Sequence, residues 1–253
     1  AAAVAGAAER TAGELGASLV AFKEFGGAHR PLADRLAGHG YFPAFSLPGC
    51  ALDLPWADEG AWLAAMRSGY RRQARAALRA RASAGLEVRV AEGLGGERDR
   101  IAALYGQVMD RVPIQLERLP PAFLDELAAA FGADPRTVLV RRGADLLAAA
   151  LVLRATGTWW FLLVGLDYAR AREGLVYQNL VHEVVAEAFR GGARRIELGQ
   201  TSYAVKGRLG GVPSDRVLYL RARRPLAHRA LAALSPALFP RRRPPPRRVF
   251  RSP

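Results

Sequence analysis

Residues 194–211, RRIELGQTSYAVKGRLGG, read in order as a buried strand, an exposed polar turn, a short helix and a glycine stop. Ile196 and Leu198 fall on one face of the strand by the two-residue period, Gly199 frees the backbone to turn, and Thr201 or Ser202 is the expected cap of a helix that carries Tyr203 and Lys206. Gly210 and Gly211 then end that helix. Tyr203 and Lys206 are three residues apart and project from one side of it, so one bound group beside the strand end lies within reach of both.

Working outward, Glu173 to Arg190 reads as a long helix with Val176, Leu180, Val184 and Ala188 on one stripe, stopped by Gly191-Gly192. Ahead of it, Thr137–Arg141, Leu146–Ala155 and Thr158–Gly165 read as strands joined by tight turns, which makes an antiparallel meander. Helices fit Arg98–Met109 and Pro121–Phe131, and a last strand fits Val217–Arg221. In the first 54 residues, a helix over residues 3–15, a strand over Ser18–Phe25, a short helix near Leu32–Leu36 and two extended pieces broken at Pro48-Gly49 follow one another. The order helix, strand, helix, extended hairpin thus occurs twice, here and over 173–221, as a repeat of pattern with little identity.

Asp58 to Ala84 reads as one basic amphipathic helical run, with Trp62, Met66, Tyr70, Ala77 and Leu78 near one side and arginines from Arg67 to Arg81 over the rest. That pattern suits a solvated arm, or a face that binds phosphates or a membrane surface. From Pro225 a short apolar helix leads into PRRRPPPRRVFRSP, whose proline density favours extended, solvated backbone. The expected division is a partial half-domain (1–57), a basic helical connector and strand (58–90), a main domain (91–222) and a basic Pro/Arg-rich tail (223–253).

The 37 Lys plus Arg against 23 Asp plus Glu give a net charge of +14, nearly all of it arginine, which attracts phosphates, acidic lipid surfaces or nucleic acid. Cys50 is the single cysteine, so disulfide frameworks and thiolate metal sites are excluded and a reducing compartment fits. No apolar run reaches the length of a membrane span. The chain opens without a methionine, which points to processing or to a piece of a longer protein. Position 186 is alanine, so His182-Glu183 makes no paired-histidine zinc motif, and His29, His39 and His228 are scattered. With no phosphate-cradling P-loop, no dinucleotide fingerprint and no serine elbow, neither metal catalysis nor nucleotide hydrolysis is expected. The loop Asp167 to Gly174, opening the long helix, offers unpaired N–H groups beside Arg170 and Arg172 and so favours a phosphate or pyrophosphate.

Residues 97–222 resemble the GNAT acyltransferase fold, and GLDYARAREGLVYQNLVHEVVAEAFRGGARRIELGQTSYAVKGRLGG is similar to its FemAB-like branch, which is related to the peptidoglycan-bridge aminoacyltransferases. The strand ending in Gly199-Gln200, followed by Tyr203, Lys206 and Gly210-Gly211, carries that resemblance. It implies an α/β (α+β) fold with a mixed, mostly antiparallel sheet flanked by helices, tandem with an incomplete first copy, and a wedge between the strands at 158–165 and 194–199.

It further implies transfer of an acyl or aminoacyl group to an amine on a small molecule or cell-envelope precursor, in the cytoplasm or at the inner face of the membrane. Val164 and Gly165 would polarise the carbonyl, Tyr203 would protonate the leaving group and Lys206 would offset developing charge. Glu197 or Asp167 would serve as base, and Arg170, Arg172, Gly174 and Gln200 would hold the donor. The family's donor loop reads Q/R-x-x-G-x-G/A, whereas here Arg170 stands one place early for Gly174 and Val176 fills the last place. Acyl-CoA without a metal is one donor; an aminoacyl-tRNA suits the charge. The competing reading is a non-catalytic module of this fold that binds anionic lipid or RNA through its arginine-rich helix and tail.

Overall fold

The computed structural model describes residues 1–112, 118–132 and 134–251. The last two residues of the expected tail lie outside them. The chain forms two compact units, Ala1–Gly49 with Pro213–Pro245, and Cys50–Val212 with Pro246–Pro253. Boundaries at 57, 90 and 222 do not coincide with these.

The first unit holds α1 (Ala2–Glu14), β1 (Leu19–Phe25), α2 (Arg30–Ala33), β2 (Phe42–Phe45), β10 (Val217–Ala222) and α9 (Pro225–Leu238). Its three strands lie in the order β1-β10-β2, all antiparallel. Val20, Leu36, Tyr41, Val217 and Tyr219 make its core, and the hydroxyls of Tyr41 and Tyr219 donate to Glu9 (2.7 Å) and to Asp34.

The second unit contains β3 (Gly49–Asp53), α3 (Glu59–Ala65), α4 (Ser68–Ser83), β4 (Glu87–Glu92), α5 (Arg98–Met109), α6 (Pro121–Phe131), β5 (Pro135–Arg142), β6 (Asp145–Arg154), β7 (Thr158–Leu166), α7 (Val176–Arg190), β8 (Arg195–Gly199) and α8 (Tyr203–Arg208). With the short β9 (Val212–Ser214), its seven-stranded sheet runs β4-β5-β6-β7-β8-β3-β9. The β7/β8 pair is parallel, whereas the β4/β5, β5/β6, β6/β7 and β3/β8 pairs are antiparallel. This is the mixed α/β GNAT-like fold, in which the chain forms a seven-stranded mixed sheet and a separate small antiparallel one.

Three expectations need correction. The two extended pieces in residues 41–54 form no hairpin, because β2 pairs with β10 and β3 pairs with β8. In the later copy, β9 and β10 likewise join different sheets. Each unit therefore contains a strand from the other copy of the pattern, and strand alternation alone carries no information about which sheet a strand joins. The helical run over 58–84 breaks at Met66 and Arg67, whose ψ angles are 146° and 149°. Asp58 caps α3 by accepting from the Ala61 N–H at 2.8 Å, and Arg71 donates to the Ala64 carbonyl at 3.0 Å. Finally, the end of the tail is packed rather than solvated. Val249 is buried, Phe250 bridges to Met66 and packs on Trp56 at 4.3 Å between centroids, and the Arg67 N–H donates to the Val249 carbonyl at 2.8 Å.

Candidate functional site

Strands β7 and β8 pair only at Thr158, Trp159 and Trp160, opposite Arg195, Ile196 and Glu197. Above that point β7 continues to Leu166 along β6 while its other edge carries no strand. The gap opens above Phe161, whose carbonyl would still lie 3.6 Å from a Cβ placed on Gly199. A bulge contributes to this. Leu151 pairs with Leu163 and Val152 with Phe161, so Leu162 is an extra residue in β7, a device that bends a strand and raises its twist.

The same ladder sorts the backbone donors of β7. The Asp167 N–H donates to the Leu147 carbonyl at 2.8 Å, so by antiparallel alternation Gly165 also faces β6 while Val164 and Leu166 present their N–H groups to the open edge. Gly165 has a packing consequence: a Cβ there would lie 2.6 Å from Leu104 Cβ and 3.0 Å from the Tyr105 nitrogen, so its absence lets α5 touch the strand.

At the top of β8 the chain turns through three residues in the left-handed region, Gly199 (φ 71°), Thr201 (φ 62°) and Ser202 (φ 50°). For Thr201 and Ser202 this is strained backbone, which costs on the order of 1–3 kcal/mol per residue. The expected side-chain cap is not made, because Ser202 adopts the left-handed conformation and makes no cap bond. Tyr177 of α7 hydrogen-bonds Ser202 instead. Lys206 is 3% exposed, and its Nζ donates to the Gln200 carbonyl at 2.7 Å and sits 5.8 Å from the centre of the Phe161 ring. Burial pushes its pKa down to about 8, opposed by the neighbouring Cys50 thiol. Cys50 is itself buried and pushed up to about 11 by that burial. Tyr203, one turn earlier on α8, is half-buried against the same core.

The remaining expected residues are placed as follows. Glu197 lies on the sheet face opposite Ile196 and Leu198, where Arg195 holds it at 2.9 Å. Asp167 closes β7, and its Oδ1 accepts from the Ala169 N–H at 3.0 Å. Arg172 is exposed. Arg170 donates to Asp145 at 2.6 Å and lies 3.6 Å from Glu173, whose other oxygen is 2.5 Å from Arg142.

Gly174 (φ 53°) stands in the turn that the resemblance implies would hold a donor's pyrophosphate, and one side of that turn is closely packed. A Cβ on Gly174 would meet Ala84 Cβ and Leu86 Cδ1 at 2.7 Å each and the Ala80 carbonyl at 3.1 Å. Asn179 ties the same turn to α4, its Nδ2 donating to Ala77 O at 3.0 Å and Gly174 O at 2.8 Å. The end of α4 thus packs directly on the turn that opens α7, and the carboxylate of Glu173 lies between Arg142 and Arg170. Among the described residues no group of three or more His, Cys, Asp or Glu is placed to hold a metal ion, and no helix is long and apolar enough to cross a membrane.

The packing of the tail's end and the strained turn are the features that sequence reading missed. Two apolar residues after three prolines, Val249 and Phe250, were the available signal for the first.

The acetyltransferase (GNAT) domain pattern matches residues 64–207, more than half of the chain. No curated protein matches it. Solved structures share the fold, three of them as follows. FemX superposes with a TM-score of 0.60 at 11% identity, over 91% of this chain and 78% of that one. The C-terminal domain of a protein from Agrobacterium fabrum described as a lysylphosphatidylglycerol synthetase gives 0.58 at 15% identity, over 90% and 75%. L-PGS from Bacillus licheniformis gives 0.57 at 14% identity, over 92% and 76%.

Proposed function

Because the chain belongs to the GNAT acetyltransferase domain family, we propose that it transfers an acyl group, specifically an aminoacyl group carried on tRNA, to an amine acceptor at the free edge of β7. The observation that carries this reading is the early end of β7/β8 pairing beneath a strained turn that leads directly into Tyr203 and Lys206. The engagement of Arg170 by Asp145 and Glu173, with the departure from the family's donor-loop pattern, supports an aminoacyl ester over a coenzyme A thioester. A place in the FemAB-like branch, and an acceptor in the cell envelope or its precursors, draw support from neighbours named FemX and lysylphosphatidylglycerol synthetase.

In this mechanism the donor carbonyl lies against the edge of β7 and accepts from the Val164 N–H, with Lys206 supplying positive charge to the developing oxyanion. The acceptor amine attacks the carbonyl carbon. Asp167, at the upper end of the same strand, takes the amine's proton, since Glu197 is held by Arg195 on the opposite sheet face. As the ester C–O bond breaks, Tyr203 gives its proton to the departing ribose oxygen and recovers one from solvent. Gln200 acts through its carbonyl, which anchors Lys206.

The test is single-turnover transfer from charged tRNA to a panel of amines, run beside a thermal-stability titration with acetyl-CoA. Transfer from the ester with no stabilisation by micromolar acetyl-CoA is expected. Stabilisation, together with acetyl transfer, would refute the choice of donor.

A further inference from the structure

Arginines in the larger unit divide into two populations. One is neutralised by carboxylates: Arg81 with Glu183, Arg98 with Asp125, Arg142 with Glu173, Arg170 with Asp145 and Arg195 with Asp53. Arg72, Arg75 and Arg79 are different. They follow one another at spacings of three and four on α4, so they share a face, all three are exposed, and among the described residues none has a carboxylate partner. The stripe extends about 10 Å along the helix, enough to meet neighbouring phosphates of one strand.

The returning C-terminal segment extends this surface at the start of α4. Val249 and Phe250 are anchored on Met66 and Trp56, which fixes the exposed Arg248 and Arg251 beside Arg67, and the Arg247 side chain lies against Gly207 of α8. The result is a belt of unpaired guanidinium groups that begins next to the helix carrying Tyr203 and ends where α4 covers Gly174. No large apolar side chain is exposed on α4 or on residues 246–251, so the belt has no group to insert into a bilayer. Its chemistry is phosphate pairing alone.

We propose that the outer face of α4, through Arg72, Arg75 and Arg79, together with the docked C-terminal segment, binds the phosphodiester backbone of RNA. The inner face of α4 packs on the turn at Gly174 while its outer face presents the arginines. This deepens the reading of a tRNA-borne donor and rests on it only for the identity of the RNA.

The experiment measures binding of uncharged tRNA to the full chain by fluorescence anisotropy across a salt series. R72Q/R75Q/R79Q is expected to weaken binding tenfold or more near physiological salt and to lower the salt slope by about two to three, one unit or slightly less per lost phosphate contact. The charge-retaining R72K/R75K/R79K variant recovers most of the affinity, and R89Q, on an exposed position of β4, leaves it unchanged. Unchanged melting temperatures exclude misfolding. Wild-type affinity and slope in the triple glutamine variant overturn the proposal, as does loss of binding to phosphatidylglycerol vesicles with RNA binding intact. Stripe-dependent tRNA binding without aminoacyl transfer would sink the transferase reading and leave this site standing; transfer with stripe-independent binding would do the reverse.

Discussion

The starts of α7 and α8 lie on the same unit and are built in opposite ways. At α7 the groups are tied down internally: Glu173 lies beside two arginines, the Asn179 amide donates to carbonyls of α4 and of its own first turn although its Oδ1 has no hydrogen-bond partner among the described residues, and Gly174 packs closely under Ala84 and Leu86. At α8 the backbone is strained at Thr201 and Ser202, and a buried ammonium is held by one carbonyl. The first arrangement contributes stability and leaves little for a ligand; the second costs stability and leaves charge and polar hydrogens beside an open strand edge. Strain and a desolvated charge persist only where the surroundings hold them, which is the expected signature of a reacting site.

The comparison is broken most severely at Gly174. Gly174→Ala forces a Cβ into Ala84 and Leu86 at a positive φ, and a loss of about 2–4 kcal/mol in chemical denaturation is expected. A loss under 0.5 kcal/mol would mean that α4 does not pack tightly on this turn.

Lys206→Met comes next, and its sign depends on pH. The folded-state pKa of about 8 lies below the unfolded value of 10.5, so between those values the unfolded chain binds more protons and stability rises with pH, while below pH 8 the full cost of the buried charge is present. Denaturation of the wild type is expected to show stability climbing by on the order of 1–3 kcal/mol from pH 8 to 10.5, a rise that the methionine variant lacks. Equal slopes in both proteins would remove the buried charge from the account.

A smaller effect is expected at Thr201. Thr201→Gly relieves the left-handed strain and should stabilise by about 1 kcal/mol while slowing transfer through a looser turn. Destabilisation would show that the turn is not strained. The smallest change is Glu173→Gln, which removes a charge without opening space; isothermal titration with coenzyme A should remain silent, and micromolar binding would show that the carboxylate alone had closed the site.

Much of this fold was legible because periodicity is local. The helices at Arg98–Met109 and Pro121–Phe131 lie where the pattern puts them, and the strand, turn, helix order around Tyr203 follows from Gly199 and the double glycine. Partner choice was not legible. Nothing near Cys50 in sequence says that β3 pairs with β8 instead of β2, and Val212–Ser214 is too short to carry a period. For the site, the Tyr203 and Lys206 pair could be read from a three-residue spacing, whereas the carboxylates that occupy Arg170 lie at Asp145 and Glu173, one of them across a turn between strands. The burial of Lys206 depends on the core around Cys50 and Leu198, which the chain assembles from segments about 150 residues apart.

Tyr203→Phe addresses the central claim most directly, because it removes one oxygen from the helix beside the open edge of β7. Single-turnover aminoacyl transfer should fall about a hundredfold or more, with melting temperature and tRNA affinity unchanged. A rate within twofold of wild type would contradict a reacting site at α8.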